Sequence, residues 1–199
     1  MARNAYIATQ SSTPINSKAE AKIHLRVDFT DDDTYIDSLC LAATQTINNY
    51  CNLLLMDTDV VQFCDKWEES KELYFSPTLN SGDAAITKIE YYDSTNSFVV
   101  WGGANYEFDA YSAPLRIELA DGVSYPAITE RQNAIKITYA VGASAASTIP
   151  DQLKQAGLIL IGNMYENRQE IIVGRSVGTI PMTARYLMNP YKIQTLGKC

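Results

Sequence analysis

Residues 149–170 read IPDQLKQAGLILIGNMYENRQE, and their spacing decides the fold. Leu153, Ala156, Leu160 and Met164 recur at three- and four-residue steps, the period of one helix face. Ile159, Ile161 and Gly157 widen that seam. Pro150 suits a first helical position, where its missing amide leaves nothing unpaired. At 1.5 Å per residue this predicts a helix about 30 Å long. Toward the N-terminus a second helix of similar length is expected over residues 31–52, about 33 Å by the same rise. Its face is Ile36, Leu39, Ala43, Ile47, Tyr50 and Leu54. Thr30 ahead of Asp31, Asp32 and Asp33 sets negative charge where a helix N-terminus favours it. Two helices of nearly equal length pair antiparallel, and whatever lies between them then leaves and returns at one shared end.

The intervening sequence changes period. Thr87, Ile89 and Tyr91 alternate with Lys88, Glu90 and Tyr92, and Leu115, Ile117 and Leu119 with Arg116, Glu118 and Ala120. Ile135, Ile137 and Tyr139 alternate with Lys136 and Thr138. Two-residue alternation describes antiparallel strands with one covered face. Turn chemistry separates them at residues 80–83, 93–96, 102–103 and 121–122. The expected fold is α+β: a small antiparallel helical bundle, residues 17–57 and 143–192, with an inserted antiparallel β-rich unit of about six strands, residues 58–142.

Residues 1–16 are polar, small and aperiodic, which predicts a flexible arm. Ser17 and Glu20 have the spacing of a capping box and open a short helix. Residues 193–199 form a C-terminal tail. Apolar residues cover so much of the 149–170 helix that it needs more than one neighbour. Those neighbours are either short helices near Ser17 and Met182 or another subunit. The candidate helix-packing residues are Ile36, Leu39, Ile47, Leu153, Leu160 and Met164.

With 46% hydrophobic and 20% charged residues among 199, the chain has the composition of an ordinary globular protein. Its longest apolar run is far too short to span a bilayer, and the N-terminus has no signal-like stretch, so a soluble, unexported protein is expected. The net charge of −7 disfavours gripping nucleic acid by its phosphates but lets DNA slide past. Cys40, Cys51, Cys64 and Cys199 match no zinc spacing, and free thiols are expected.

Catalytic patterns are missing. His24 is the sole histidine, which rules out multi-histidine metal sites and limits triads. Asp31, Asp32 and Asp33 with Asp28 and Asp37 lack calcium-loop spacing, and helix capping is the better account of them. Glu107, Asp109 and Glu118 beside Trp101 and Tyr106 leave open an enzyme acting on cell-wall sugars, although strand aromatics are more often core. No catalytic, cofactor-binding or metal residue is assigned, and no cofactor is expected.

Taken in order, several stretches resemble the head–tail connector (adaptor) proteins of tailed bacteriophages, in the branch with a β-rich insertion between two long helices. They are Ala19-Glu20-Ala21-Lys22-Ile23-His24-Leu25-Arg26-Val27, Asp31 through Leu39 with Ala42-Ala43, and Ile89-Glu90-Tyr91-Tyr92-Asp93. Pro114-Leu115-Arg116-Ile117, Tyr125-Pro126 and Asn133 through Tyr139 follow. Pro150, Lys154-Gln155-Ala156, Tyr165-Glu166-Asn167-Arg168 and Pro190-Tyr191-Lys192 complete the series. Met164 stands where an aromatic is common, Lys192 where arginine is usual, and Gln169 where an acid is expected. The tail from Ile193 matches no family pattern.

The resemblance implies a virion structural protein and no enzyme. It implies a ring, typically of twelve subunits, in the neck below the portal, made in the host cytoplasm and with no membrane partner. Such a ring extends the channel for genomic DNA, which passes without sequence-specific binding, and gives the tail or a stopper protein its platform. By the same resemblance Tyr186, Leu187, Tyr191, Ile193 and Leu196 are candidate portal-docking residues; the bland reading is that they cap the bundle. Another neck component, a stopper or tail-completion protein, is the runner-up, against which the long helices count.

Overall fold

The computed structural model describes residues 5–73, 79, 83–112, 114–168 and 180–193. The expected turn at 80–83 lies largely outside them, as do residues 169–179 and Leu196. The chain divides into two compact units, one of residues 1–11 and 57–144, the other of residues 12–56 and 145–199.

In the helical unit, α1 (Lys18–Leu25) opens on the expected capping box. Ser17 N donates to Glu20 Oε2 at 2.7 Å, and Glu20 N donates to Ser17 Oγ at 3.3 Å. It stops at Arg26, whose φ of 57° is left-handed. Helix α2 (Asp33–Cys51) buries Ile36, Leu39, Cys40, Ala43, Thr44, Ile47, Asn48 and Cys51, the predicted stripe with polar members added. Helix α3 (Asp151–Glu166) buries Leu153, Ala156, Gly157, Leu160 and Ile161. Helix α4 (Met182–Met188) inserts Ala184 and Met188. Helix α3 packs on α1, α2 and α4, so its broad apolar surface finds three partners within its own unit. Pro150 is the N-cap of α3 rather than its first helical residue.

Two expectations change here. Helix α2 starts at Asp33, not Asp31, and its N-cap Asp32 makes no capping bond. The carboxylate is drawn instead to Tyr165 and Arg168, across on α3 and just beyond it. The supposed flexible arm 1–16 contains a strand, Ala5–Gln10, and a buried anchor at residues 15 and 16. Ile15 and Asn16 are 1% exposed. Ile15 N donates to Thr44 Oγ1 at 3.1 Å, and Asn16 Nδ2 donates to Lys154 O at 3.1 Å. A single anchor of two residues leaves no periodic trace in a sequence.

The rest of that arm belongs to the other unit. Strand β1 (Ala5–Gln10) pairs antiparallel with β2 (Thr58–Cys64). The five-stranded sheet runs β1-β2-β7-β3-β4, with β3 (Ala84–Tyr92), β4 (Phe98–Trp101) and β7 (Ile135–Val141). Every pairing in it is antiparallel. An edge strand is held by backbone bonds on one side only and needs no apolar alternation, which is why β1 escapes a reading by period. Register puts Gln62, Ile137, Ile89 and Trp101 in one row across the sheet. That face is the core: Ile135, Ile137, Tyr139 and Val141 are all buried. A 3-10 turn (Trp67–Lys71) and the hairpin of β5 (Tyr106–Asp109) and β6 (Arg116–Leu119) complete it. Leu73 N joins Leu115 O at 3.0 Å, and both side chains are buried. Trp67, Tyr91, Trp101, Tyr106 and Tyr125 pack ring against ring with centroids 4.8 to 5.9 Å apart, and Trp67 Nε1 donates to Pro126 O at 2.9 Å.

Candidate assembly surfaces

Chemistry first has to be sought among nucleophiles and acids. Cys40, Cys51 and Cys64 are free and buried. Burial pushes the thiols of Cys40 and Cys51 up to about 11, far from the thiolate that nucleophilic chemistry requires. His24 is exposed on α1 with its ring beside Gly162 of α3, Nε2 lying 3.5 Å from where a β-carbon would stand. It has the environment of a packing residue. No cluster of three or more metal-ligating side chains occurs among the described residues.

Of the acids that left a sugar enzyme open, Asp109 has a structural duty. Asp109 accepts hydrogen bonds from Ser112 Oγ and from Tyr111 N and Ser112 N, at 2.8 and 3.2 Å for the two amides, and those bonds hold its carboxyl below the usual range. Glu107 stands directly opposite Glu118 across the hairpin. Trp101, 7% exposed, is core. A glycosidase needs a carboxyl raised to serve as acid, and Asp109 is shifted the opposite way.

Three surfaces remain. The first is the C-terminal end of the helical unit. Ile193 N donates to Cys51 O at 2.9 Å, and Asn52 Nδ2 donates to Ile193 O at 3.0 Å. Tyr50 OH donates to Asn189 Oδ1 at 2.7 Å, and Lys192 Nζ lies 4.7 Å from the centre of the Tyr50 ring. The candidate docking residues are therefore split. Ile193 is fastened to the end of α2, Leu187 and Tyr191 are half-buried, and Tyr186 is 71% exposed. One turn before it Met182 is 74% exposed, and the i, i+4 spacing of the two puts them on one helix face. Of the helix-packing candidates, Ile36, Leu39, Ile47, Leu153 and Leu160 are buried and Met164 is half-buried.

The second surface is a clasp at the opposite end of α3. Arg168 Nη2 lies 3.0 Å from Asp32 Oδ2, and its guanidinium stands over the rings of Tyr35 and Tyr165 at 4.6 and 5.2 Å. Tyr165 OH donates to Asp32, and that bond, with partial burial, raises the phenol's pKa. Lys22 Nζ meets Asp33 at 2.6 Å and Phe29 O at 2.6 Å, while Lys18 Nζ meets Asp37 at 3.0 Å. The acidic run is thus spent on tying α1, α2 and α3 together, which sequence spacing does not reveal.

The third surface is electrostatic. By sequence, the β unit holds 7 basic and 14 acidic residues, and the helical unit 9 of each. The β unit therefore carries the whole net charge of −7.

Known proteins match this arrangement in two ways. Residues 19–96 match the family model of phage gp6-like head-tail connector proteins, bearing out the resemblance carried by the stretches from Ala19 to Asp93. Among solved structures, the chain is similar to one from the virion of a native gene transfer agent (GTA) particle, with a TM-score of 0.71 at 19% identity. It is also similar to chains from the neck of an empty GTA particle computed with C6 symmetry (TM-score 0.68, 20% identity) and from the neck of a native GTA particle computed with C12 symmetry (TM-score 0.67, 20% identity). Each likeness covers 97% of both chains, so the α+β architecture, insertion included, is that of these neck proteins. No curated protein sequence matches the chain.

Proposed function

We propose that the chain is a head–tail connector: a structural protein of the virion neck that forms a ring below the portal and carries the tail. The observation that carries this reading is the pairing of a connector family match over α1, α2, β2 and β3 with a fold shared over 97% of the chain with neck chains. The site chemistry agrees with it. The thiols of Cys40 and Cys51 are buried and neutral, exposed His24 lies beside Gly162, and Asp32 and Asp109 are tied into an ion pair and a turn.

The mechanism is mechanical. A ring of identical subunits closes by heterologous contacts repeated around one axis. Twelve copies are proposed by likeness to the C12 neck. The net negative charge lets genomic DNA pass without adhering, since binding through phosphates needs a basic face. Docking on the portal is assigned to the outward side of α4, Met182 and Tyr186, with Leu187 and Tyr191 beside it and the segment from Ile193 through Leu196 following. The Ile193–Cys51 and Tyr50–Asn189 bonds hold the base of that segment to α2, giving it a fixed starting point. The tail or a stopper protein occupies the opposite side of the ring.

Electron microscopy of particles produced with this chain is expected to place it as a symmetric ring between portal and tail. Its location at the tail tip, or its absence from particles, would refute the reading. For docking, deleting residues 194–199 leaves the Ile193 bonds in place and is expected to abolish attachment to filled heads while the subunit stays folded. Attachment at the unaltered level removes that segment from the mechanism.

A further inference from the structure

We propose that neighbouring copies meet front to back through their β units, the open face of the five-stranded sheet in one copy receiving the β5–β6 hairpin of the next. The inference rests on the ring reading above.

The two sides of the β unit differ in charge. Register places Val61, Thr138, Lys88, Lys136, Glu90 and Val100 on the face turned away from the core, where Val61 and Glu90 are buried and the β4 edge is the open part. Val100 is 64% exposed there, with Phe98 and Tyr6 also open to solvent. On its β7–β3–β4 half, Lys88 and Lys136 flank Glu90 at 3.0 and 3.3 Å. Arg131 lies 3.9 Å above the Tyr92 ring. Two lysines thus share one carboxylate, with Arg131 engaged by Tyr92 and Asn96 nearby. Burial works to raise Glu90, but its hydrogen bonds with the two lysines outweigh this and keep its acidity above normal. The other acid facing this way, Asp59, pairs with Ala140, four residues along β7 from Lys136, roughly 13 Å away at the strand rise.

The core-covering side carries a glutamate pair. Glu107 and Glu118 are exposed and directly opposed on the hairpin, a like-charge pair that is unfavourable, with exposed Arg116 two residues along opposite Asp109. Glu68 and Glu118 add to burial in raising Tyr125, which marks a negative field over that side.

A closed ring needs two different, complementary patches on each subunit. In a unit that carries the chain's entire net negative charge, two copies attract electrostatically only where local signs oppose. The lysine pair of the sheet and the glutamate pair of the hairpin supply that opposition, and the exposed Phe98 and Val100 supply apolar area beside it.

Carbodiimide coupling, which joins an ammonium and a carboxylate only in contact, tests the pairing on full-length chain mixed from nitrogen-15 and unlabelled protein, concentrated and in isolated necks. Peptides of mixed label are expected to join Lys88 or Lys136 to Glu107 or Glu118. K88E/K136E and E107K/E118K each remove one reactive partner, and mixing those two variants should restore mixed-label links between the same four positions. Mixed-label links confined to other residues, no mixed-label links, or no recovery on mixing would overturn the contact. A ring seen in particle necks without these links overturns the contact and leaves the connector reading intact. The links in concentrated protein with no chain in particle necks do the reverse. Circular dichroism of each variant separates a lost contact from a lost fold.

Discussion

Substituting alanine at the two glycines of α3 is expected to move stability in opposite directions. Both lie inside the same helix, where alanine is favoured over glycine by about 1 kcal/mol. At Gly162 an added β-carbon meets only the edge of His24 at 3.5 and 3.7 Å, ordinary contact, so Gly162→Ala should stabilise by up to about 1 kcal/mol. At Gly157 the same carbon falls 2.1 Å from Asn16 Oδ1 and 3.3 Å from its Cγ. Asn16 must withdraw, breaking its bond to Lys154 O and dislodging the Ile15–Asn16 anchor. Leaving the buried Asn16 amide without its acceptor costs about 1–3 kcal/mol, and overpacking a filled site costs about 1–3 kcal/mol. Set against the helix gain, Gly157→Ala should destabilise by about 1–3 kcal/mol. With a slope of about 2 kcal/mol per molar urea, that lowers the midpoint by about 1 M. The assay is urea unfolding of the full chain, followed by ellipticity at 222 nm, where the helices dominate. In an Asn16→Ala background the obstruction is gone and Gly157→Ala should become neutral or stabilising, a coupling of about 1–3 kcal/mol. Equal shifts for the two glycines, or no coupling to Asn16, would refute the account of the 12–16 segment as an anchor.

Other consequences are separately measurable. In an alkaline titration followed at 295 nm, Tyr165 should ionise above the ordinary phenol value, because the bond to Asp32 and partial burial favour its neutral form; Asp32→Asn should bring it down, and Tyr165→Phe identifies the signal. A raised folded-state value means that this contribution to stability is complete below the unfolded phenol's pKa and fades as pH rises through the folded one. Cys40 and Cys51, at about 11, should resist alkylation at pH 8 in the native chain and react promptly in denaturant; rapid native labelling would contradict their burial. Ser17→Ala removes the two hydrogen bonds of the Ser17 hydroxyl, from Glu20 N and to Glu20 Oε2, and should cost about 1 kcal/mol, read as a lower urea midpoint. Tyr186→Asp, on an open face of α4, should leave that midpoint within about 0.5 kcal/mol while weakening attachment to filled heads; undiminished attachment would remove α4 from the docking surface.

Much of the fold was legible because periodicity records burial. Helix α2 shows its stripe from Ile36 to Ile47, β7 alternates without interruption, and Ser17 with Glu20 marks the start of α1. What escaped has no period. Strand β1 is held by backbone bonds at an edge, so AYIATQ carries no pattern. The Ile15–Asn16 anchor is two residues long. The acidic run was read as a helix cap, yet Asp32 and Asp33 find their partners in Arg168, Tyr165 and Lys22, far apart in sequence. Nothing at position 32 announces position 168.

The sequence by itself determined the two matched helices, the β insertion between them, the lack of catalytic patterning and the connector resemblance, because side-chain period and motif order are local properties of a chain. Only the tertiary structure decided which acids are spent on internal ties, which apolar residues of α3 find cover at home, and which are left facing out. Tyr186 and Leu187 are neighbours of similar apolar character, and one is exposed while the other is half-buried. That difference is set by where α3 and α2 stand beside them, which no local rule contains. The charge division has the same origin: −7 is a property of the sequence, but its placement on one unit, with a lysine pair on one face and a glutamate pair on the other, follows from strand register.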